Sequence, residues 1–172
     1  MDTKSKGDIA EQAAKLFALK LGWGVLAPIG DRLPYDLVFD VSGKLVKVQV
    51  KYAWLDKKRV NFIVYSIRTK TNRRKMKKEL YKEGDFEFAL IYIHPLDIFY
   101  VMPFADFVTH ASVSVGEFLG RQREGAAKKF RNAWNLIQEW ALPGETQVEF
   151  PVKFGEVSDV IIPSQACENR KV

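Results

Sequence analysis

An acid, an amide and an ammonium group lie on two neighbouring predicted strands in the first third of the chain. Asp36 opens a β-rich run that extends to Val41, and Gln49 and Lys51 share one parity in the alternating segment that follows. Because alternate residues of a strand point to the same face, Gln49 and Lys51 are expected side by side, with the neighbouring valines directed into the core. With Asp36 on the adjacent strand, the three side chains are predicted to gather at one face of a hairpin.

Glu11 adds a second carboxylate to this set. It lies on a predicted helix over residues 5–21, in an alanine-rich stretch that allows close packing against the strands. Carboxylates hold Mg²⁺ ions that polarise phosphoryl oxygens, and a lysine near the attacking water helps to generate hydroxide and offsets the charge that builds on the phosphorane. The four residues therefore favour metal-dependent phosphodiester hydrolysis.

The composition limits the other kinds of site. Cys167 is the only cysteine, and His94 and His110 are the only histidines, so oxygen ligands and a hard cation such as Mg²⁺ are expected, with no further cofactor. Both histidines are predicted to be structural.

No apolar run is long enough to span a bilayer, and the first residues lack the pattern of a secretory signal. We therefore expect a cytoplasmic protein.

The net charge of +6 is unevenly distributed. Residues 44–82 contain 14 Lys/Arg and 2 Asp/Glu, a net charge of +12, whereas the segments before and after carry −1 and −5. The run at 68–78 has seven cations and no acid, unlike ordinary soluble surfaces, which intersperse charges of both signs. Its arginines are suited to phosphates and guanine edges. This block predicts a polyanionic partner.

The hydrophobic periodicity predicts an α/β fold around a mixed sheet with an antiparallel hairpin, turned at Ser42-Gly43. Trp134 and Trp140 are predicted to lie in the core. The expected strands cover 25–27, 36–41, 45–53, 60–67, 86–94 and 97–102; the expected helices cover 5–21, 75–82, 103–110 and 126–141; residues 112–124 are expected to form a loop.

The motif residues resemble the PD-(D/E)XK nuclease superfamily. The pattern consists of Pro34-Tyr35-Asp36, a gap of twelve residues and Gln49-Val50-Lys51, preceded by Glu11 on the first helix. The resemblance implies a restriction-endonuclease-like core, a central mixed β-sheet flanked by helices. It also implies metal ligation by Glu11, Asp36 and Gln49, and an essential Lys51. We expect a nuclease domain over residues 1–142 and an extension over 143–172.

More narrowly, the chain is similar to the PD-(D/E)XK homing endonucleases of bacterial group I introns. That similarity implies sequence-specific cleavage of double-stranded DNA by a homodimer or homotetramer. The chain departs from the superfamily pattern at Tyr35, which separates the proline from the aspartate, and at Gln49, which replaces an acid. A glutamine supplies an oxygen ligand without charge. The number of Mg²⁺ ions per site, one or two, therefore stays open.

The predicted DNA contacts lie in and beside the basic block. Lys47 shares the parity of Lys51 at about 13 Å along the strand, given roughly 3.3 Å per residue, and is expected to contact the DNA backbone. The other candidates are Lys57, Lys58, Arg59, Asn61, Arg68, Lys70, Asn72, Arg73, Arg74, Lys75, Lys77 and Lys78.

Three functions remain open at this stage: a homing-type endonuclease, a structure-selective nuclease such as a Holliday-junction resolvase, and a DNA-binding module without catalysis. Since a double-strand break needs two active sites facing opposite strands, a homo-oligomer of even order is expected. Its predicted subunit contact combines Trp140 and the segment 146–162 with the apolar stripe Phe130, Trp134 and Ile137.

Overall fold

A computed structural model describes residues 1–30, 32–56, 61–72, 75–117 and 125–144, without the side chains of 69–72 and 75–78. The helices are α1 (Thr3–Lys20), α2 (Phe104–Phe107) and α3 (Asn135–Ala141). The strands are β1 (Gly24–Leu26), β2 (Leu37–Val41), β3 (Lys44–Tyr52), β4 (Trp54–Asp56), β5 (Asn61–Tyr65), β6 (Ile67–Asn72), β7 (Lys75–Leu80), β8 (Phe88–Ile93), β9 (Ile98–Pro103) and β10 (Ser112–Val115).

The central sheet has five strands in the order β1-β2-β3-β8-β9. Strands β2 and β3 form an antiparallel hairpin, β3 runs parallel to β8, and the remaining pairs are antiparallel. Ser42 and Gly43 both adopt positive φ angles, 52° and 88°, as a two-residue hairpin turn requires. The predicted mixed sheet with its antiparallel hairpin is therefore confirmed.

Two hydrophobic clusters cover the two faces of this sheet. On one face, Val48 and Leu90 pack with residues of α1 and α3. On the other, Ile91 packs with residues of β5 and α2, including Phe62 and Phe107. All six residues of β8 are buried, so this strand is covered on both faces of the sheet.

Helix α1 begins two residues earlier than predicted, because the side chain of Asp2 accepts a hydrogen bond of 2.9 Å from the Ser5 amide and caps the helix. The buried face of α1 is formed largely by small side chains. Leu16 is exposed, whereas Ala10 and Ala14 are fully buried. Small side chains at those positions allow α1 to lie close to the sheet, which places Glu11 beside the hairpin.

The prediction of a basic helix over 75–82 is wrong. Strand β7 pairs with β6 in an antiparallel hairpin whose register sets Ile67 opposite Leu80 and Thr71 opposite Met76. The four-residue spacing of Met76 and Leu80 suits one face of a helix, but an even spacing also suits one face of a strand. Pairing with β6, which contains β-branched residues, decides between the two.

The expected helix over 126–141 is interrupted. A 3₁₀ turn covers Ala126–Phe130, and Asn132 then adopts a left-handed conformation with φ 48°. The side-chain oxygen of Asn132 accepts a 2.9 Å hydrogen bond from the Phe99 amide, so the chain docks on β9 before α3 begins. The expected loop over 112–124 also contains strand β10, which pairs with β5.

Trp134 lies in the core, as predicted, but Trp140 does not, since 43 % of it is exposed. The proposed apolar subunit contact is also wrong in part, because Phe130 and Ile137 are buried within the chain, together with Trp134. The segment 146–162 lies outside the described residues. Within the described part of the chain, none of the helices combines the length and hydrophobicity that a membrane crossing requires.

Candidate active site

Asp36 lies at the entrance of the β2–β3 hairpin. Its amide donates a hydrogen bond of 3.0 Å to the carbonyl of Val48 and aligns the residue with β3. Its carboxylate oxygen Oδ2 accepts a 2.8 Å hydrogen bond from the Val50 amide and a second bond from Nε2 of Gln49. Burial raises the pKa of this carboxyl, and the hydrogen bond from Val50 opposes the shift.

Gln49 is 7 % exposed and lies on the face of β3 opposite the buried valines. Its Nε2 atom donates to Asp36 and, at 3.4 Å, to the Val50 carbonyl. Because the nitrogen makes both of these bonds, the carbonyl oxygen Oε1 is the atom of Gln49 suited to a cation. Gln49 and Lys51, which alternate onto the same face of β3, therefore line the same cavity.

Lys51 lies two residues beyond Gln49 on β3. Burial lowers the pKa of its ammonium group, the carboxylate of Asp36 opposes this shift, and the guanidinium of Arg68 reinforces it. The Nζ atom lies 5.3 Å from the centroid of the Tyr81 ring. The lowered pKa brings the neutral amine, which can accept a proton, closer to physiological pH.

Glu11 reaches the same cavity from α1. Burial raises the pKa of its carboxyl, and the nearby negative charge of Asp36 raises it further. A divalent cation would offset the charges of both carboxylates and so favour their ionised forms. Glu11 and Asp36 both line the same cavity.

These side chains line one cavity of about 420 Å³. The sequence indicated four of its residues as catalytic and Arg68 as a DNA contact, but it gave no indication of the two tyrosines. The lining comprises Glu11, Ala27, Pro28, Gly30, Leu33, Tyr35, Asp36, Gln49, Lys51, Ile67, Arg68 and Tyr81.

The donor set of the cavity fits a divalent cation. In the described ranges there is no cluster of three or more His, Cys, Asp or Glu side chains with the geometry of a metal site. The set here is instead two carboxylates, Glu11 and Asp36, with the amide oxygen of Gln49 as a neutral third ligand. Oxygen atoms of this kind are the ligands that hard cations prefer.

The predicted DNA contacts are found in different surroundings. Lys47 forms an ion pair with Glu87 at 3.3 Å and donates to the Gly84 carbonyl. Asn61 donates to Ser114, with a distance of 3.0 Å between Nδ2 and Oγ. Arg68 lines the same cavity and donates to the carbonyls of Arg32 at 3.0 Å and Leu33 at 2.7 Å. This pair of bonds connects β6 to the loop that precedes Asp36.

The remaining candidates fall into two groups. Strand residues Lys70, Asn72, Lys75, Lys77 and Lys78 lie on the hairpin, and the register sets Lys70 opposite Lys77. Lys57, Lys58, Arg59, Arg73 and Arg74 lie outside the described residues.

Comparison with known proteins agrees with this geometry. A family model described as PD-(D/E)XK endonuclease matches residues 1–137. The solved structure of a bacterial homing endonuclease, I-Ssp6803I, is similar to this chain with a TM-score of 0.76 and 48% sequence identity, over 81% of this chain and 95% of the other. No curated protein matches significantly. The chain therefore belongs to the PD-(D/E)XK endonuclease family, whose members are metal-dependent nucleases that act on DNA.

Proposed function

We propose that this protein is a homing-type endonuclease that cuts double-stranded DNA at a specific sequence with Mg²⁺ as its cofactor. The observation that carries the proposal is the single cavity in which Glu11, Asp36, Gln49 and Lys51 meet. The similarity to a bacterial homing endonuclease over most of both chains supports the homing type. Since the proposed substrate is genomic DNA, the expected place of action is the cytoplasm.

Each residue of the cavity has a distinct role in this proposal. Glu11, Asp36 and the amide oxygen of Gln49 hold the cation, which supplies positive charge to the phosphoryl oxygens and the leaving oxyanion. Lys51 accepts a proton from the attacking water when its amine is neutral, and as an ammonium group it balances the charge of the transition state. Arg68 contributes a second cation to the wall that faces the phosphate.

Substrate binding is assigned to the β6–β7 hairpin. Seven Lys/Arg residues occur between 68 and 78, and the base of the hairpin borders the catalytic cavity through Ile67 and Arg68. A basic hairpin adjacent to the cavity brings a duplex to the catalytic residues while its side chains contact phosphates and base edges. The proposed DNA contacts therefore extend from the hairpin to Arg68, which lines the cavity.

Double-strand cleavage requires two such cavities, and we propose a homodimer or homotetramer with twofold symmetry. Light scattering at micromolar protein, with and without DNA, is expected to give an even multiple of the 19.7 kDa chain. A mass of one chain under both conditions contradicts this arrangement.

The function is tested with supercoiled plasmids that carry a library of inserts, incubated with the protein and Mg²⁺. The proposal predicts linear products that end at one recurring sequence, and none in the presence of a chelator. Cleavage of every cruciform insert, whatever its sequence, indicates a structure-selective nuclease instead. Binding without any cleavage indicates a non-catalytic module.

A further inference from the structure

Tyr81 lies at the rim of the catalytic cavity, directly after strand β7. It is 7 % exposed. Its ring contacts Phe86 edge to face, with 4.9 Å between the ring centroids, and Phe107 at 6.4 Å. These aromatic neighbours belong to the second hydrophobic cluster, beneath the central sheet. The ring is therefore held by the core.

The Tyr81 ring also contacts Lys51, the lysine of the proposed catalytic set. The Nζ atom of Lys51 lies 5.3 Å from the Tyr81 centroid, within the range of a cation–π interaction. A lysine side chain has four rotatable bonds and loses considerable rotamer entropy when it is fixed. The like charge of Arg68, in the same cavity, favours displacement of the ammonium. A cation–π interaction with a ring held in a fixed position offsets both the entropy loss of the lysine side chain and its repulsion by Arg68.

We propose that Tyr81 is a positioning residue whose ring holds the Lys51 ammonium at the wall of the cavity, beside the position of the attacking water. This inference rests on the proposed nuclease function. The hydroxyl of Tyr81 is not required for it, because the ring face provides the interaction and phenylalanine has a similar face.

Cleavage kinetics of three variants test the proposal, with the duplex recovered from the library selection as substrate. Tyr81→Leu is expected to lower kcat on the order of tenfold with KM unchanged, and Tyr81→Phe is expected to recover most of that loss. The matched control is Phe130→Leu, which removes a buried ring from the same cluster but not one of the rings that pack on Tyr81. Wild-type kcat in Tyr81→Leu, or an equal loss in Phe130→Leu at equal Tm, overturns the proposal.

A spectroscopic measurement tests the contact without reference to cleavage. In protein labelled with ¹³C-lysine, the Tyr81 ring current is expected to shift the ε-methylene signal of Lys51, which is assigned by its loss in Lys51→Met. The shift should persist in Tyr81→Phe and disappear in Tyr81→Leu. An unshifted signal in the wild type overturns the positioning role. If the wild type cuts no DNA, the proposed function fails, and this spectrum still decides whether the contact exists.

Discussion

Replacement of Asp36 by asparagine is expected to separate metal binding from folding. Asparagine keeps an oxygen that accepts the hydrogen bond from the Val50 amide, but it removes the charge that a cation requires. The altered contact with Gln49 lowers the free energy of unfolding by about 1 kcal/mol. Removal of a buried charge raises the free energy of unfolding by a comparable amount. In chelator, the variant should therefore differ from the wild type by no more than about 1–2 kcal/mol in the free energy of unfolding.

Metal should affect the two proteins very differently. A cation at 100 times its Kd stabilises the folded wild type by about 2.7 kcal/mol. For a chain of this size, about 2–4 °C per kcal/mol gives a rise in Tm of roughly 5–10 °C. Asp36→Asn should show almost none of this rise and should lose cleavage at least about a hundredfold. The measurement is calorimetry in chelator and in saturating Mg²⁺, with cleavage assayed in parallel.

The matched control is Asp40→Asn, four residues along the same hairpin. The carboxylate of Asp40 has a structural role in the hairpin turn, where it accepts a 2.7 Å hydrogen bond from the Gly43 amide. This variant should keep both the metal-dependent rise and cleavage. A full rise in Tm for Asp36→Asn would refute the assignment of Asp36 as a metal ligand.

The raised pKa of Asp36 predicts how the Tm depends on pH in the presence of a chelator. Burial raises the pKa of Asp36 in the folded state, so the folded protein holds this proton more tightly than the unfolded chain. Stability contributed by the protonated carboxyl is present below the unfolded pKa and is lost as pH rises through the folded value. The Tm of Asp36→Asn relative to the wild type should therefore increase from acid to neutral pH. An unchanged difference contradicts the buried carboxylate.

Four further results are expected. Lys51→Ala should abolish cleavage while the metal-dependent rise in Tm and the DNA affinity remain, and turnover at the wild-type rate would exclude its catalytic role. Gln49→Glu places a second carboxylate against Asp36, so calorimetry should show a larger metal-dependent rise than in the wild type; a smaller rise contradicts the ligand role of position 49. Because the pKa values of Glu11 and Asp36 are raised, protons compete with the cation, and titration calorimetry should show weaker metal binding at pH 5 than at pH 8; equal affinities contradict this. If six or more phosphates are neutralised, log K should fall with log[salt] at a slope near −5 or steeper, at roughly −0.9 per contact; a slope shallower than about −2 excludes the basic block as the DNA surface.

The placement of Gln49 and Lys51 in one cavity was predictable because strand parity is a strong local constraint. Valines at 46, 48 and 50 are all buried in one cluster, which forces Gln49 and Lys51 onto the other face of β3. The alanines around Glu11 likewise predicted close packing of α1, and Ala10 and Ala14 are fully buried. Each of these features depends on residues that lie near each other in the sequence.

The features that the sequence did not indicate depend on long-range contacts. Tyr81 is thirty positions from Lys51, and its place beside the ammonium depends on packing against Phe86. The break at Asn132 depends on a hydrogen bond to Phe99 in β9. The helix predicted over 75–82 is strand β7 instead, because an even spacing of apolar residues fits both structures and cross-strand pairing with β6 decides the outcome.

The most direct test of the catalytic centre is the anomalous scattering of Mn²⁺ in crystals of the protein bound to its DNA target. A peak is expected in the cavity between Glu11, Asp36 and the amide oxygen of Gln49, with the scissile phosphate and Lys51 next to it. Oxygen ligands at about 2.0–2.2 Å are expected for a small divalent cation. A cavity without a peak, or a cation bound only elsewhere on the chain, would contradict the assignment of this cavity as the metal-dependent active site.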